Sequence, residues 1–342
     1  MNVIKSRRVR DLASVLVPVV FCLAVLAGPA YWVQLAIGVV ITVILGLSWD
    51  VLGRGGLVSF GQAAFFGIGA YASAILGSHM ALLPAWLLAL LICGIVAAAL
   101  GYVTIRLSGI YFSIATLGFT LCMQVVVIAA KPLTGGPGGI APPLVGEGDP
   151  RIQLIVAALC LLVALIVSWA LLTQRIRPAI FMLRGDKGLA AVSGVPVVRT
   201  RSGLFAVSGM LAGLAGALYG SLYGYIVPTD VFTLTFSTVA VATAVLGGTD
   251  RIAGAVLGGV VLRIIETGAQ DVVGGSGYAA VYGAIIIVVV LVAPGGLWGL
   301  GEDLARRLGA GRGKDRNGHS GTGQSHGALR RPDGAGQRVS QS

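Results

Sequence analysis

Apolar runs of roughly twenty residues recur along almost the whole chain, separated by short polar breaks. They fall at about 12–28, 32–52, 57–77, 82–105, 109–130, 152–172, 203–226, 231–247, 252–270 and 278–298. A helix rises about 1.5 Å per residue, so some twenty apolar residues match a hydrocarbon layer about 30 Å thick. Strands of an outer-membrane barrel would alternate over about ten residues instead. The pattern predicts an all-α integral membrane protein of about ten transmembrane helices. The first run has the length of a secretory signal, and Gly28-Pro29-Ala30 is weakly compatible with a cleavage site. The next apolar run begins at Trp32, so residues 12–28 are read as a retained span, with residues 1–11 as a basic cytoplasmic N-terminus.

The longest charged interruption of the hydrophobic part is 174–202. It carries Arg175, Arg177, Arg184, Lys187, Arg199 and Arg201 against the single acid Asp186. A short helix inside it is marked at both ends. Asp186 suits the N-cap, where a carboxylate accepts from backbone N–H groups. Gly194 suits the left-handed position after a helix, and Pro196 forbids continuation. Leu189 and Val192 share one face at i and i+3. Such a helix fits either a docking element or an ordinary loop, and spacing alone leaves both open.

Composition agrees with the pattern. The 342 residues are 56% hydrophobic and only 11% charged, against about 25% charged in soluble domains. The net charge of +11 does not indicate nucleic acid, because the basic residues cluster in loops and tails, as the positive-inside rule expects. Alternation from a cytoplasmic start places Arg54, Arg106, 174–202, Asp250-Arg251 and the C-terminus inside. It places Tyr31, Ser78-His79, 131–151, Pro228 to Asp230 and Gly274-Gly275 outside, with Lys131 and Arg151 as basic exceptions. Five spans before the 131–151 loop and five after it would be two inverted halves. Within 252–270, Arg263 and Glu266 stand at i, i+3 and can pair; a re-entrant segment from Gly247 is the alternative there. Glycines 61, 67 and 69, then 209, 213, 216 and 220, then 254, 258 and 259 suit close helix packing. Cys22, Cys93, Cys122 and Cys160 lie in apolar runs without metal-ligand spacing and read as buried small hydrophobes. Residues 301–342 form a basic cytoplasmic tail, which from about Gly309 is too polar to bury a core and is expected to be mostly disordered; its arginines suit anionic membrane lipid.

Four segments together resemble the branched-chain amino acid permeases of bacterial ATP-binding-cassette importers. They are Gly55 to Tyr71, Arg106 to Phe119, Leu133-Thr134-Gly135-Gly136-Pro137-Gly138-Gly139-Ile140, and the Asp186 helix continued through Ser208 to Leu218 and Val245 to Gly248. The match runs in order over about residues 35–300. The resemblance implies a permease domain over 12–300 with the type II importer build, in the bacterial inner membrane, both termini cytoplasmic. It further implies a second homologous permease subunit, two cytoplasmic ATPase subunits carrying ATP and Mg, and an extracytoplasmic substrate-binding protein. It makes the 186–194 segment a coupling helix seated in a groove of the ATPase, with Arg184, Asp186, Leu189, Ala190 and Gly194 at the contact. The family often has glutamate after the aspartate, where this chain has Lys187.

The chain has no phosphate-binding GxxxxGK[ST] loop, no His-Glu-x-x-His and no other catalytic constellation. It is read as a translocation subunit without a cofactor of its own. A zwitterion crossing lipid needs polar groups turned to a cavity. The candidates are Ser59, Gln62 and Tyr71 in the third span and Tyr111, Thr116 and Gln124 in the fifth. For each, a bond to its own helix or an interfacial position is the plain alternative. Thr134, Gly135 and Gly136 are candidates for an extracytoplasmic gate, or for a tight turn only. An ion-driven secondary transporter would need buried acids, for which Asp50 and Glu266 are the candidates. A membrane enzyme would need polar clusters that the spans lack. Urea, short amides or a sugar remain alternative cargoes.

Overall fold

The computed structural model describes residues 18–20, 24–107, 109–173, 176–185, 196–249, 252–273, 283–284 and 296. The predicted spans at 12–28 and 278–298, the Asp186–Gly194 helix, the N-terminal 1–11 and the tail 301–342 lie wholly or largely outside those residues.

Every regular element among the described residues is a helix, apart from one isolated bridge between Ile140 and Ile226. Its elements are α1 (Ala30–Arg54), α2 (Gln62–Gly77), α3 (Leu82–Val103), α4 (Gly109–Ala129), α5 (Lys131–Thr134), α6 (Pro150–Thr173), α7 (Ile176–Gly185), α8 (Val197–Tyr223), α9 (Pro228–Val231), α10 (Leu234–Gly247) and α11 (Ile252–Val273). Seven stretches among the described residues have the length and apolarity to cross a membrane, the segment from Pro228 to Gly247 counting as one. With no water in lipid, the backbone must satisfy its own polar groups, and the α-helix does so locally. Helix ends coincide with residues that cannot continue them. Pro29 precedes α1, and Gly56 after it has φ +73°. Gly224 closes α8 with φ +72°, and Thr233 caps α10 by accepting from the Thr235 N–H.

The structure corrects the sequence expectations at five points. The span expected at 57–77 is a 16-residue helix behind a segment without regular structure, and 231–247 is broken between α9 and α10. The seventh span begins at Val197, not 203. Arg199 and Arg201 suggested loop, yet Arg201 is buried inside α8, its guanidinium 5.0 Å from the Phe112 ring centroid and donating to Leu107 O. Likewise the start of the polar stretch folds as α7, with Ile180 buried. Cys122 faces outward from α4, whereas Cys93 and Cys160 are buried. The 252–270 segment is an unbroken helix of 22 residues, and Arg263 pairs with Glu266 at 2.8 Å.

α1 is the central post, buried almost continuously from Val33 to Arg54. α6, α8, α10 and α11 surround it, and α2 and α3 pack on α8. Glycines set the α2–α8 distance: a methyl at Gly69 would land on the Gly213 backbone, and one at Gly216 on the Phe66 carbonyl. At one end of the bundle Gly56 meets Arg184 and Arg201 meets Leu107. At the other, Ile140 and Ile226 exchange backbone hydrogen bonds at 3.0 Å, and Trp86 Nε1 donates to Ser221 Oγ.

Gly216→Leu should push α2 and α8 apart. Overpacking costs about 1–3 kcal/mol, and here the obstacle is backbone. The expected outcome is a lower melting temperature and reduced membrane yield, read by fluorescence-detected thermal denaturation in detergent; Gly203→Ala, where a methyl meets nothing within 4 Å, should behave as wild type.

Candidate functional site

Leaving α1 at Gly55-Gly56, the chain runs without regular structure through 57–61 before α2 starts at Gln62. The ends of this stretch lean on the helices, the Leu57 N–H donating to Leu52 O and Gly61 O accepting from the Ala64 N–H; between them, exposed Val58, buried Ser59 and half-buried Phe60 have backbone groups outside any helix ladder. Side chains from three other elements meet them. From α4, Ser113 Oγ donates to Val58 O (2.7 Å) and Thr116 Oγ1 accepts from the Phe60 N–H (3.0 Å). From α1, Trp49 Nε1 donates to Ser59 O (2.9 Å). From α10, Ser237 Oγ donates to Phe60 O (2.7 Å) and accepts from the Ala63 N–H (3.0 Å). Thr120 Oγ1 adds a second, longer contact to Phe60 O at 3.3 Å, and Ser59 Oγ accepts from the Gly61 N–H.

Gln62, wholly buried at the first position of α2, extends this lattice. Its Nε2 donates to Ser208 Oγ (3.1 Å), which donates to Ser48 O (2.7 Å). Ser48 Oγ lies 3.2 Å from Gln62 Oε1 and 2.6 Å from Leu45 O. One amide therefore ties α1, α2 and α8. Deeper along α2 an aromatic cluster follows. Phe66 stacks on Phe236 at 4.1 Å, Tyr219 packs against both, and Tyr71 lies over Phe232 at 6.2 Å. The second interruption, between α9 and α10, thus adjoins the first through Ser237 and this cluster. Two interrupted helices meeting inside a bundle is how many transporters build their working centre, because backbone freed from the helix ladder can rearrange there.

The structure gathers Ser59, Gln62 and Thr116 into this lattice, all with no exposed surface. Tyr71 is also buried, its hydroxyl 3.4 Å from Ile226 O towards the far end. Tyr111 is separate, 72% exposed on the outer face of α4, and Gln124 is half-buried on the same helix. Thr134, Gly135 and Gly136 form a tight turn. Thr134 Oγ1 donates to Val127 O or Ala130 O and accepts from the Gly136 N–H, and Gly135 and Gly136 have φ +69° and +63°. Tyr225 donates to Gly138 O, pinning this turn beside Ile226. Of the docking residues, Arg184 is exposed at the end of α7; a methyl on Gly56 would sit 3.1 Å from its Cα. Asp186, Leu189, Ala190 and Gly194 lie outside the described residues.

Sequence reasoning missed Ser48, Trp49, Ser113, Thr120, Ser208 and Ser237. Ser113, Thr116 and Thr120 had a legible signal, hydroxyls at i, i+3 and i+7 on one helix face. Ser48, Ser208 and Ser237 carried none, because a lone hydroxyl in an apolar run says nothing of its distant partner. Of the two acids considered for ion coupling, Asp50 is buried and paired with Arg54, and Glu266 is paired with Arg263. Among the described residues no three His, Cys, Asp or Glu side chains come together as a metal site.

Membrane-length helices folded round two interrupted ones define a multi-pass membrane transport protein. The chain belongs to the family described as branched-chain amino acid transport system / permease component, whose model matches residues 31–293. It is 30% identical over 300 residues to the high-affinity branched-chain amino acid transport system permease protein LivM of Salmonella typhimurium, covering 78% of this chain and 69% of that one. The LivM protein of Escherichia coli K12 matches with the same identity and coverage. The ribose import permease protein RbsC of Bacillus subtilis is 24% identical over 187 residues, 53% of this chain and 57% of its own. No solved structure matches.

Ser237→Ala removes the only partner shown for the Ala63 N–H, and the shorter of two contacts to Phe60 O. A buried group left unpaired costs about 1–3 kcal/mol, so the variant should melt below wild type, while Ser237→Thr, which keeps the hydroxyl, should recover most of the loss. Gly56→Ala should also be destabilised, because φ +73° disfavours any side chain. Both are checked by thermal denaturation alongside transport in reconstituted vesicles.

Proposed function

We propose that this chain is the translocation subunit of an ATP-driven importer of branched-chain amino acids in a bacterial inner membrane. The observation that carries this reading is the similarity to two branched-chain amino acid permeases over 78% of the chain. The interrupted helices supply the mobile centre such a subunit needs. About ten spans in two inverted halves, type II importer architecture and cytoplasmic termini complete the reading, supported by the arginines gathered at one end of the bundle and by the positive-inside rule. A second homologous permease, two ATPases that bind ATP and Mg, and an extracytoplasmic binding protein are the proposed partners.

In this reading 186–194 docks on the ATPase through Asp186, Leu189, Ala190 and Gly194. The contact of Gly56 with Arg184 supports a route inward, since α7 ends where the irregular segment opens. Ser59, Gln62 and Thr116 hold the segment in one state and turn to the path in another, with Tyr71, Tyr111 and Gln124 along it. Thr134 to Gly136 frame the outer gate. The ribose permease match favours a second reading, sugar as cargo.

Uptake of leucine, isoleucine and valine, set against ribose and urea, by the assembled importer in vesicles decides the cargo; transport of ribose or urea but not leucine would replace the proposal. Gly194→Val and Ala190→Trp should leave membrane insertion intact, lower uptake at least about tenfold and release the ATPase in pull-downs, while Lys187→Glu is tolerated. If both variants keep the ATPase and transport normally, the loop has no coupling role.

A further inference from the structure

A cleft of about 420 Å³ opens between α1, the end of α8, the α9–α10 break and α11. It is separate from the hydrogen-bonded lattice around Phe60, and none of the candidate path residues lines it. Its size falls within the roughly 300–1,000 Å³ of small-molecule sites. One wall is apolar and aromatic, with Ile41, Leu45, Tyr219, Phe236 and Val239. The other carries Asp230, Arg263 and Glu266.

Arg263 and Glu266 stand near the middle of α11, where charge is costly unless it faces protein or an aqueous space. They pair through Arg263 Nη1 and Glu266 Oε2 at 2.8 Å, which leaves Nη2 for another acceptor; Nε is buried against Gly38 without a hydrogen-bond partner. The guanidinium lies directly over Gly38: a methyl there would come within 2.6 Å of Nε and 2.9 Å of Cζ. Glycine at 38 is what lets the cation reach this wall. The N-terminal turn of α10 borders the same cleft through Thr233, Thr235 and Phe236; its Thr235 and Phe236 N–H groups are taken by Thr233, so it contributes the positive end of a helix dipole. Asp230 is exposed at its rim and accepts from Thr229.

A cation and a helix N-terminus beside two carboxylates, facing an apolar wall, match one ligand chemistry: a zwitterion with an aliphatic body. We infer that this cleft is a stopping place for an aliphatic α-amino acid within the subunit. The carboxylate lies towards Arg263 and the start of α10, the ammonium towards Glu266 and Asp230, and the side chain against Tyr219 and Phe236. The inference rests on the proposed cargo class and adds to it a site in this chain.

The test is L-leucine binding to the full-length chain in phosphatidylglycerol nanodiscs, by scintillation proximity with tritiated leucine. Leucine should bind. Leucinamide, lacking the carboxylate, and 4-methylpentanoate, lacking the ammonium, should compete at least about tenfold less well, a difference of about 1.4 kcal/mol. Gly38→Ala, which keeps both charges and displaces the guanidinium, should weaken binding at least about tenfold. The double exchange Arg263→Glu with Glu266→Arg, which keeps an ion pair and so guards against simple misfolding, should do the same. A phosphatidylethanolamine headgroup shares the two charges, so leucine binding that disappears when that lipid is added would overturn the amino acid as ligand. Absent binding, wild-type binding by both variants, or equal competition by 4-methylpentanoate would also overturn it. If the assembled importer takes up leucine while this cleft binds none, the cleft alone is rejected; if no leucine is taken up, the cargo is.

Discussion

Five residues of irregular backbone at the entry to α2 are the constraint to which much of the described fold answers. In lipid or a dry protein interior an unpaired carbonyl or amide costs several kcal/mol. Ser59 and Phe60 leave the helix with Trp49, Thr116 and Ser237 in reach, and Ser113 serves the more exposed Val58. Those four side chains come from α4, α1 and α10, so the local break fixes the mutual placement of three helices. Gln62 continues the logic one residue on, joining α1 and α8 through Ser48 and Ser208.

The rest of the packing keeps those groups at bonding distance. α1 is enclosed on all sides, which holds Ser48 and Trp49 in a fixed frame. Backbone-close contacts at Gly69 and Gly216 bring α8, and with it Ser208, against α2. Around this frame α3 and α4 are apolar and exposed along their outer faces, with Leu83, Leu87, Ile110 and Ile114 among the side chains that point away from the bundle. Such faces suit lipid or another apolar surface.

Hydropathy made the membrane class legible because burial in lipid demands the same thing of every span, about twenty apolar residues. It was weaker where demands compete. Arg201 suggested a loop by its charge, but its stem and guanidinium pack on Phe112 with a carbonyl to bond, so the helix continues through it. Residues 57–61 are as apolar as the helix they precede, and nothing local announces that their partners lie on α4 and α10, some 55 to 177 positions away. Gln62 stood out because amides are rare in such runs, and Thr116 because it shares a helix face with Ser113 and Thr120; what they bond to is a property of the fold.

The glycine contacts between α2 and α8 bear on how force travels through the subunit. At Gly69 against Gly213 and at Gly216 against Phe66 the two helices meet backbone to backbone, with no side chain between them whose rotamer could change, and the Gln62–Ser208 bond and the Phe66–Tyr219 ring contact tie the same seam. α2 and α8 therefore behave as a keel, a single stiff member running the depth of the bundle. Deformation has to be absorbed where side chains and turns intervene: at the irregular entry to α2, at the break before α10 and along the half-exposed α4. The stiffness of one helix pair thus assigns compliance to the others.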